Sequence, residues 1–204
     1  NAKPLSLDEK AVPCNEWLID TRIELINENS GDDIADCMIK NVIEQPDGTP
    51  VCSFEGFVSA APAGLVPYEK VSVAPAEYAT VFNKCVSVVG PHLWDTFDPY
   101  LYKLKTFVFK GSELMDTVET CFGFRHLRLD PAEGFFLNGR HVKLNGACMH
   151  HDLGALGAAF NLKALERQFK SLRSMGINAV RTSHNPPALP LLKHADKTGM
   201  LIDT

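Results

Sequence analysis

The spacing of the apolar residues changes once along the chain, at Asp130-Pro131, and this change constrains the fold more than any other feature. Before it, apolar and polar residues alternate in short runs such as 101–109, with turn residues such as Pro46-Asp47-Gly48 between the runs. After it, short apolar runs alternate with segments of helical spacing such as 162–175. The sequence therefore predicts two differently built domains, residues 1–130 and residues 131–204.

The first half of the chain predicts an antiparallel β-sandwich of about seven strands. Strand-like runs recur from Glu16 to Leu129, separated by turn signals that include a turn at 29–33 and a Pro/Ala/Gly-rich crossing over 60–67. The chain has six cysteines but no C-x-x-C pair, which argues against a zinc site or a disulfide scaffold. We therefore expect the cysteines to be buried free thiols.

The charge distribution also separates the two halves and limits the partners. Residues 1–130 carry 11 Lys and Arg against 20 Asp and Glu, a balance of −9, whereas residues 131–204 carry 9 against 5, a balance of +4. The chain has a net charge of −5 and no stripe of Lys and Arg side chains that could neutralise the phosphates of a nucleic acid. We therefore expect no nucleic-acid partner. No apolar run approaches the roughly 20 residues of a membrane span, and the first ten residues are polar, so we expect neither a membrane anchor nor a signal peptide.

The second half predicts a hairpin followed by a strand-helix series. Asn138-Gly139 is a strong type I′ turn signal. Asn161 is the predicted N-cap of the helix that Gly176 ends. The chain continues with a strand at 177–181, a helix at 187–197 with Gly199 at its end, and a strand at 200–203. Right-handed crossovers make such strands parallel. The mostly β chain is therefore expected to end in a partial β/α segment of about three strands and two helices, since a complete (β/α)₈ barrel takes about 250 residues.

Polar residues follow the predicted parallel strands, where ligands bind in β/α folds. Three of the five histidines in residues 131–204 lie there. The candidate site residues are His150, His151, Asp152, Arg181, His184, Asn185 and Asp203. Imidazole, carboxylate and amide groups suit the hydroxyls of a sugar. Two alternatives stay open from the residues alone: a metal site built from imidazoles and a carboxylate, and a purely structural role in loops and caps.

Several motifs resemble glycoside hydrolase family 2, in particular bacterial β-galactosidases. They occur in the family's order and spacing: Phe122-Gly-Phe-Arg125, Gly134-Phe-Phe-Leu-Asn-Gly139, 146–157 and 175–186. Upstream, Leu93-Trp94 and Asp98-Pro-Tyr-Leu-Tyr102 are similar to the immunoglobulin-like sandwich that precedes the catalytic barrel in this family. The resemblance implies an immunoglobulin-like β-sandwich followed by the start of a TIM-type barrel.

The resemblance also implies a function for the complete enzyme: a retaining hydrolase that cleaves O-glycosidic bonds of galactosides. Its two catalytic glutamates would lie beyond Thr204, so we expect no catalytic residue in this chain and no activity of the chain alone. His150 or His151 with Asp152, His184 with Asn185, and Asp203 match positions that line the sugar subsite. Metal ligands of some members follow the third strand, so no metal or other cofactor is expected here, while Mg²⁺ is a candidate in full-length members.

Two other functions are weighed beside the glycosidase. One is a non-catalytic sandwich module whose unfinished barrel segment docks on a partner or on a second copy, giving a homo-oligomer. The other, less favoured, is a metal-dependent hydrolase that uses His150, His151 and His184. The sequence leaves the compartment open between the cytoplasm and the periplasm of a bacterium.

Overall fold

The structure, a computed structural model, describes residues 2–8, 12–26, 34–55, 57–58, 71–73 and 78–203. The chain forms two compact units, and neither of them is continuous in sequence. The first unit comprises Asn1–Ser6, Cys14–Pro91 and Tyr102–Phe122, and the second comprises Leu7–Pro13, His92–Leu101 and Gly123–Thr204. The domain boundary at Asp130 stays a prediction.

The described residues of the first unit form two antiparallel sheets. Its strands are β1 (Ala2–Pro4), β2 (Glu16–Ile26), β3 (Ile34–Glu44), β4 (Pro50–Glu55), β5 (Phe57–Val58), β6 (Val71–Val73), β7 (Tyr78–Val89), β8 (Tyr102–Lys110) and β9 (Glu113–Phe122). One sheet has the order β1-β2-β7-β5, and the other has the order β4-β3-β8-β9 with β6 paired to β3. The predicted turn at 29–33 and the predicted crossing over 60–67 lie outside the described residues.

Alternating burial explains why these runs form strands. Trp17, Ile19 and Thr21 of β2 are buried, while the residues between them are only partly covered. On β3 the buried positions Ile39, Asn41 and Ile43 follow the same period of two. Because the hydroxyl of Thr106 donates a 2.7 Å hydrogen bond to Oδ1 of buried Asn41, part of that amide is satisfied inside the unit.

The cysteines are only partly as expected. The five whose side chains are described are free, but of these only Cys37 is buried, while Cys121 and Cys148 are exposed. The expectation of buried thiols is therefore wrong for those two. Cys121 is exposed because it lies on β9, the last strand of its sheet, whose side chains are exposed almost throughout. The side chain of Cys85 lies outside the described residues.

The second unit contains a small antiparallel sheet and a β/α series. The antiparallel strands are β10 (Leu127–Asp130), β11 (Gly134–Leu137) and β12 (Arg140–His141). The series runs β13 (Gly146–Met149), α1 (Leu162–Ser174), β14 (Ala179–Thr182), α2 (Leu189–Thr198) and β15 (Leu201–Asp203). Because β14 pairs in parallel with β13 and with β15, the predicted strand-helix-strand-helix-strand arrangement is confirmed.

Local sequence signals act in this unit as predicted. Asn138 and Gly139 have φ values of 53° and 78°, as a type I′ hairpin turn requires. Oδ1 of Asn161 accepts a 3.0 Å hydrogen bond from the backbone N–H of Ala164 and so caps α1. Gly199 ends α2 in the left-handed conformation. The helices pack on the sheet through buried side chains that include Leu165, Phe169, Val180, Leu191, Ala195 and Met200.

The segment His92–Leu101 belongs to the second unit and holds the end of α2. The indole of Trp94 is fully buried and donates to the backbone carbonyl of Asp196. Nη2 of Arg173 donates to the carbonyls of Thr96 and Thr198, at 2.8 and 2.6 Å. Burial lowers the pKa of the Arg173 guanidinium below its ordinary value. No helix in the part of the chain that the structure describes has the length and apolar character needed to cross a membrane.

Candidate functional site

The strand register brings the predicted site residues to one edge of the parallel sheet. Cys148 of β13 lies beside Arg181 of β14, and Arg181 lies beside Asp203 of β15. His150 comes one residue after β13, and His184 comes two residues after β14. The carboxyl ends of adjacent parallel strands therefore present these groups on the same rim.

A cavity of about 350 Å³ opens at this rim, between the loop after β13, the start of α1 and the approach to α2. His150, His151 and Asp152 are among its lining residues. Most of the remaining wall is apolar and includes Leu153, Ala158, Ala159, Phe160, Pro186, Pro187 and Leu191. A mainly apolar cavity with a few polar groups is the usual form of a small-molecule site.

Arg181, His184 and Asp203 form a second group on the same rim. Nη2 of Arg181 lies 3.0 Å from Nδ1 of His184. Nε of Arg181 lies 3.6 Å from Oδ2 of Asp203. The structure therefore divides the candidate residues between the cavity and this cluster; Asn185, which lines neither, follows His184 in the loop.

The loop after β14 holds His184 in an uncommon backbone conformation. The backbone N–H of Asn185 donates to the carbonyl of Thr182 at 3.2 Å, which closes a turn with His184 at its third position. His184 has a φ of 67°, a region that glycine adopts freely and that is uncommon for other residues, although asparagine, aspartate and histidine are enriched there. Because residues with a positive φ occur often at functional sites, the conformation supports His184 as a candidate site residue.

Asp152 has a structural partner of its own. Its Oδ1 accepts a 2.9 Å hydrogen bond from the backbone N–H of Gly154, which follows in the loop with a φ of 61°. The N–H of Leu153 donates to the carbonyl of Gly157 at 2.9 Å and closes the same loop. One carboxylate oxygen of Asp152 therefore shapes the cavity wall, and the other is available to a ligand.

The apolar wall of the cavity is not among the features predicted from the sequence. Phe160 and the pair Pro186-Pro187 line it, although none of them was among the candidates. The sequence contains a signal for this wall: Phe160 lies directly before the helix cap Asn161, and two prolines lie directly after Asn185. Within the described ranges, no three His, Cys, Asp or Glu side chains are grouped so that they could hold a metal ion.

The chain matches two family models that together cover most of its length. Residues 14–125 match the model of glycosyl hydrolases family 2, and residues 130–203 match that of the glycosyl hydrolases family 2 TIM barrel domain. The predicted fold class, a mostly β chain with a sandwich followed by a partial TIM-type barrel segment, is thereby confirmed.

Individual relatives agree with these matches. The chain is 49% identical over 129 residues to β-galactosidase BoGH2A of Bacteroides ovatus, a match that covers 63% of this chain and 15% of that protein. It is 36% identical over 112 residues to a β-glucuronidase of Bacteroides fragilis, covering 54% of this chain and 16% of that protein.

Solved structures show the same fold over almost the whole chain. A Bacteroides uniformis β-glucuronidase aligns with a TM-score of 0.80 and 28% identity over 98% of this chain and 22% of its own. A family 2 member from Bacteroides cellulosilyticus aligns with a TM-score of 0.77 and 29% identity, covering 94% of this chain and 24% of its own. The chain thus spans less than a quarter of the length of these relatives, and it belongs to glycoside hydrolase family 2.

Proposed function

We propose that the chain is part of a retaining β-glycosidase and that its rim binds the hydroxyls of a β-galactoside. The observation that carries the proposal is the convergence of His150, His151 and Asp152 with His184 and Asn185 at the carboxyl ends of two paired parallel strands. This is the position at which β/α barrels bind their ligands. Membership of family 2 and the likeness to a β-galactosidase support the reaction and the sugar.

The rim groups match the chemistry of a sugar ring. A vicinal diol both donates and accepts hydrogen bonds, and imidazole, amide and carboxylate groups together provide both functions. The apolar wall formed by Phe160, Pro186 and Pro187 offers a surface for the less polar face of a ring or for an aglycone.

We further propose that this part of the enzyme supplies contacts to the substrate and that the catalytic carboxylates come from elsewhere in the whole protein. Retention needs two carboxyl groups about 5 Å apart. The two carboxylates among the candidate residues, Asp152 and Asp203, belong to the first and third strands, and two strand spacings amount to roughly 10 Å. Each also has a partner, the N–H of Gly154 for Asp152 and Arg181 for Asp203.

Titration with methyl β-galactoside, monitored by the NMR signals of the histidines, tests the binding proposal. His150→Ala and His184→Ala should each weaken binding about 2–10-fold, the loss expected for one hydrogen bond. His141→Ala on β12 changes a histidine outside the candidate set and should leave affinity unchanged. Equal affinities in all variants would overturn the proposal.

The same titration with methyl β-glucuronide tests the choice of sugar. The relatives include both a β-galactosidase and a β-glucuronidase, so the comparison addresses a real alternative. We expect the galactoside to bind more tightly than the glucuronide. Tighter binding of the glucuronide would reject the galactoside while leaving the sugar site in place.

An assay with a chromogenic β-galactoside tests whether the isolated chain is silent. We expect no turnover above that of the buffer, because the described rim lacks a suitably spaced carboxylate pair. Turnover that disappears in His184→Ala would contradict this expectation and would place catalytic groups within the chain.

A second candidate function is self-association through the β/α segment. Large apolar side chains of the described β/α segment are exposed, among them Leu156, Phe160, Leu162, Met175 and Leu189. We propose that two copies pair through this surface. Sedimentation should show a dimer, and a chain that is monomeric at all concentrations would reject it.

A further inference from the structure

We propose that Arg181 and Asp203 are positioning residues that hold His184 as the Nε2–H tautomer, with that N–H serving as a hydrogen-bond donor to the ligand. Neither residue then needs to touch the sugar itself. The donation to a sugar oxygen rests on the function proposed above, whereas the tautomer is a property of the chain alone. The two parts therefore fail separately.

The chemistry of the guanidinium group fixes which nitrogen carries the proton. Nη2 of Arg181 lies 3.0 Å from Nδ1 of His184, and a guanidinium group donates hydrogen bonds but accepts none. Nδ1 must therefore present its lone pair to Arg181. In a neutral imidazole the proton then resides on Nε2.

Asp203 contacts a second nitrogen of the same guanidinium. Arg181 of β14 and Asp203 of β15 are partners in the parallel register, and Nε lies 3.6 Å from Oδ2. The side chains are 45% and 74% exposed, so the ion pair contributes little to the free energy of folding. Its effect is on orientation, because Nε faces the carboxylate while Nη2 faces the imidazole.

The backbone fixes the position of the ring, and Arg181 fixes its proton. The turn from Thr182 to Asn185 holds His184 at a φ of 67°, and the neighbouring Thr182 and Ser183 are buried. The backbone that carries the imidazole ring of His184 is therefore held in place. A ligand atom that meets Nε2–H must be an acceptor, which a hydroxyl, ring or carboxylate oxygen provides.

Nitrogen-15 NMR of the histidine-labelled chain at about pH 8, where imidazoles are neutral, tests the proposal. His184→Asn identifies the signals of His184 among the seven histidines. The wild type should show Nε2–H as the dominant form. Arg181→Lys keeps a donor without an acceptor and should preserve this tautomer, whereas Arg181→Glu introduces an acceptor and should make Nδ1–H the major form.

Two further variants distinguish the effect of the Arg181–Asp203 pair from the non-specific effect of a changed charge. Arg167→Glu makes the same charge change on an exposed residue of α1 and should leave the His184 tautomer unchanged. Asp203→Asn should weaken the preference for Nε2–H less than Arg181→Glu does. If Arg181→Glu does not fold, Arg181→Met, which neither donates nor accepts, should still raise the share of Nδ1–H above that of the wild type.

The NMR measurements test the proposed tautomer of His184 independently of sugar binding. A wild-type ring with the proton on Nδ1 would overturn it, and so would a tautomer ratio in Arg181→Glu, or in Arg181→Met where Arg181→Glu does not fold, that equals the wild-type ratio. If His184 has the predicted tautomer but the chain does not bind methyl β-galactoside, the positioning role of Arg181 and Asp203 is supported. The proposed sugar site is then rejected.

Discussion

The indole Nε1 of Trp94 donates a 2.7 Å hydrogen bond to the backbone carbonyl of Asp196. Asp196 lies in the last turn of α2, where helix carbonyls have no partner within the helix. The guanidinium of Arg125 lies 4.6 Å from the centre of the Trp94 ring and donates to Oδ1 of Asp196 at 3.1 Å. Trp94 thus acts as a side-chain cap for a helix that is distant in sequence.

Trp94→Phe should destabilise the chain by about 1–3 kcal/mol, because it leaves the partly buried carbonyl of Asp196 without its indole donor while keeping an aromatic ring. Asp196→Ala retains that carbonyl and removes only the half-exposed ion pair with Arg125, so it should cost less than about 1 kcal/mol. Urea unfolding monitored by far-UV circular dichroism measures both free energies. A larger loss in Asp196→Ala would contradict the capping role.

Gly123→Ala should destabilise the chain by about 1–3 kcal/mol. A Cβ at this position would lie 2.7 Å from Cβ of Trp94, closer than real side chains approach, so the tryptophan must move. Gly146→Ala is the matched control, since its Cβ would meet only the carbonyl of Ala179 at 3.8 Å. Thermal unfolding should show a lower midpoint for Gly123→Ala alone, and equal midpoints for the two variants would refute the close approach.

His184→Gly should be more stable than His184→Ala by about 1 kcal/mol, because glycine adopts a positive φ without steric cost. Both variants lack the imidazole and should bind methyl β-galactoside equally weakly. Chemical denaturation compares the stabilities, and the titration described above compares the affinities. Equal stabilities would show that the turn relaxes when the histidine is removed.

Asp130→Asn should reduce stability at neutral pH and have less effect in acid. Backbone N–H groups of Glu133 and Ala132 donate to Oδ1 of Asp130, and these bonds hold its pKa below the ordinary value. A carboxylate with a lowered pKa in the folded state stabilises the fold above about pH 4 and loses this contribution as the pH falls through the folded-state value. The difference between wild type and Asp130→Asn should therefore shrink as the pH is lowered. A pH-independent difference in unfolding free energy would be inconsistent with this origin.

The elements with strong local signals were predictable from sequence. The hairpin at Asn138-Gly139, the cap at Asn161 and the helix end at Gly199 each depend on a residue type with a specific backbone or capping role. The predicted start of α2, Pro187, lies two residues before the observed start at Leu189. The helix begins at Leu189 because Ala188 is extended as its N-cap and Pro190 occupies the first turn, where its missing N–H is not needed.

The candidate site was predictable only in its location. The predicted strand order, together with the rule that β/α folds bind ligands at the carboxyl ends of their strands, predicts that the polar loops lie on one rim. The register of β13, β14 and β15 agrees with this location. The contact from Arg181 to His184 was not predictable, because it depends on a positive φ at a residue that is neither glycine nor asparagine. Whether His150, His151, Asp152 and Asn185 contact a sugar stays a prediction.

The role of His92–Leu101 was also missed, because hydrophobic periodicity reports local structure only. The bond from Trp94 to Asp196 joins residues 102 positions apart. Trp94 is fully buried, and its partner lies on a helix that the sequence assigned to the other half. Long-range pairing of this kind leaves no spacing signal in the chain.

The discontinuity of the second unit governs how the chain assembles and how it can be recombined. Ribosomal synthesis delivers His92–Leu101 about a hundred residues before α2, so the contacts that complete the unit can form only after α2 has been made. A chimaera that exchanges only the residues after Asp130 would pair a foreign α2 with the resident Trp94 and Thr96. Exchanges that carry His92–Leu101 and Leu7–Pro13 together with the barrel segment preserve those contacts.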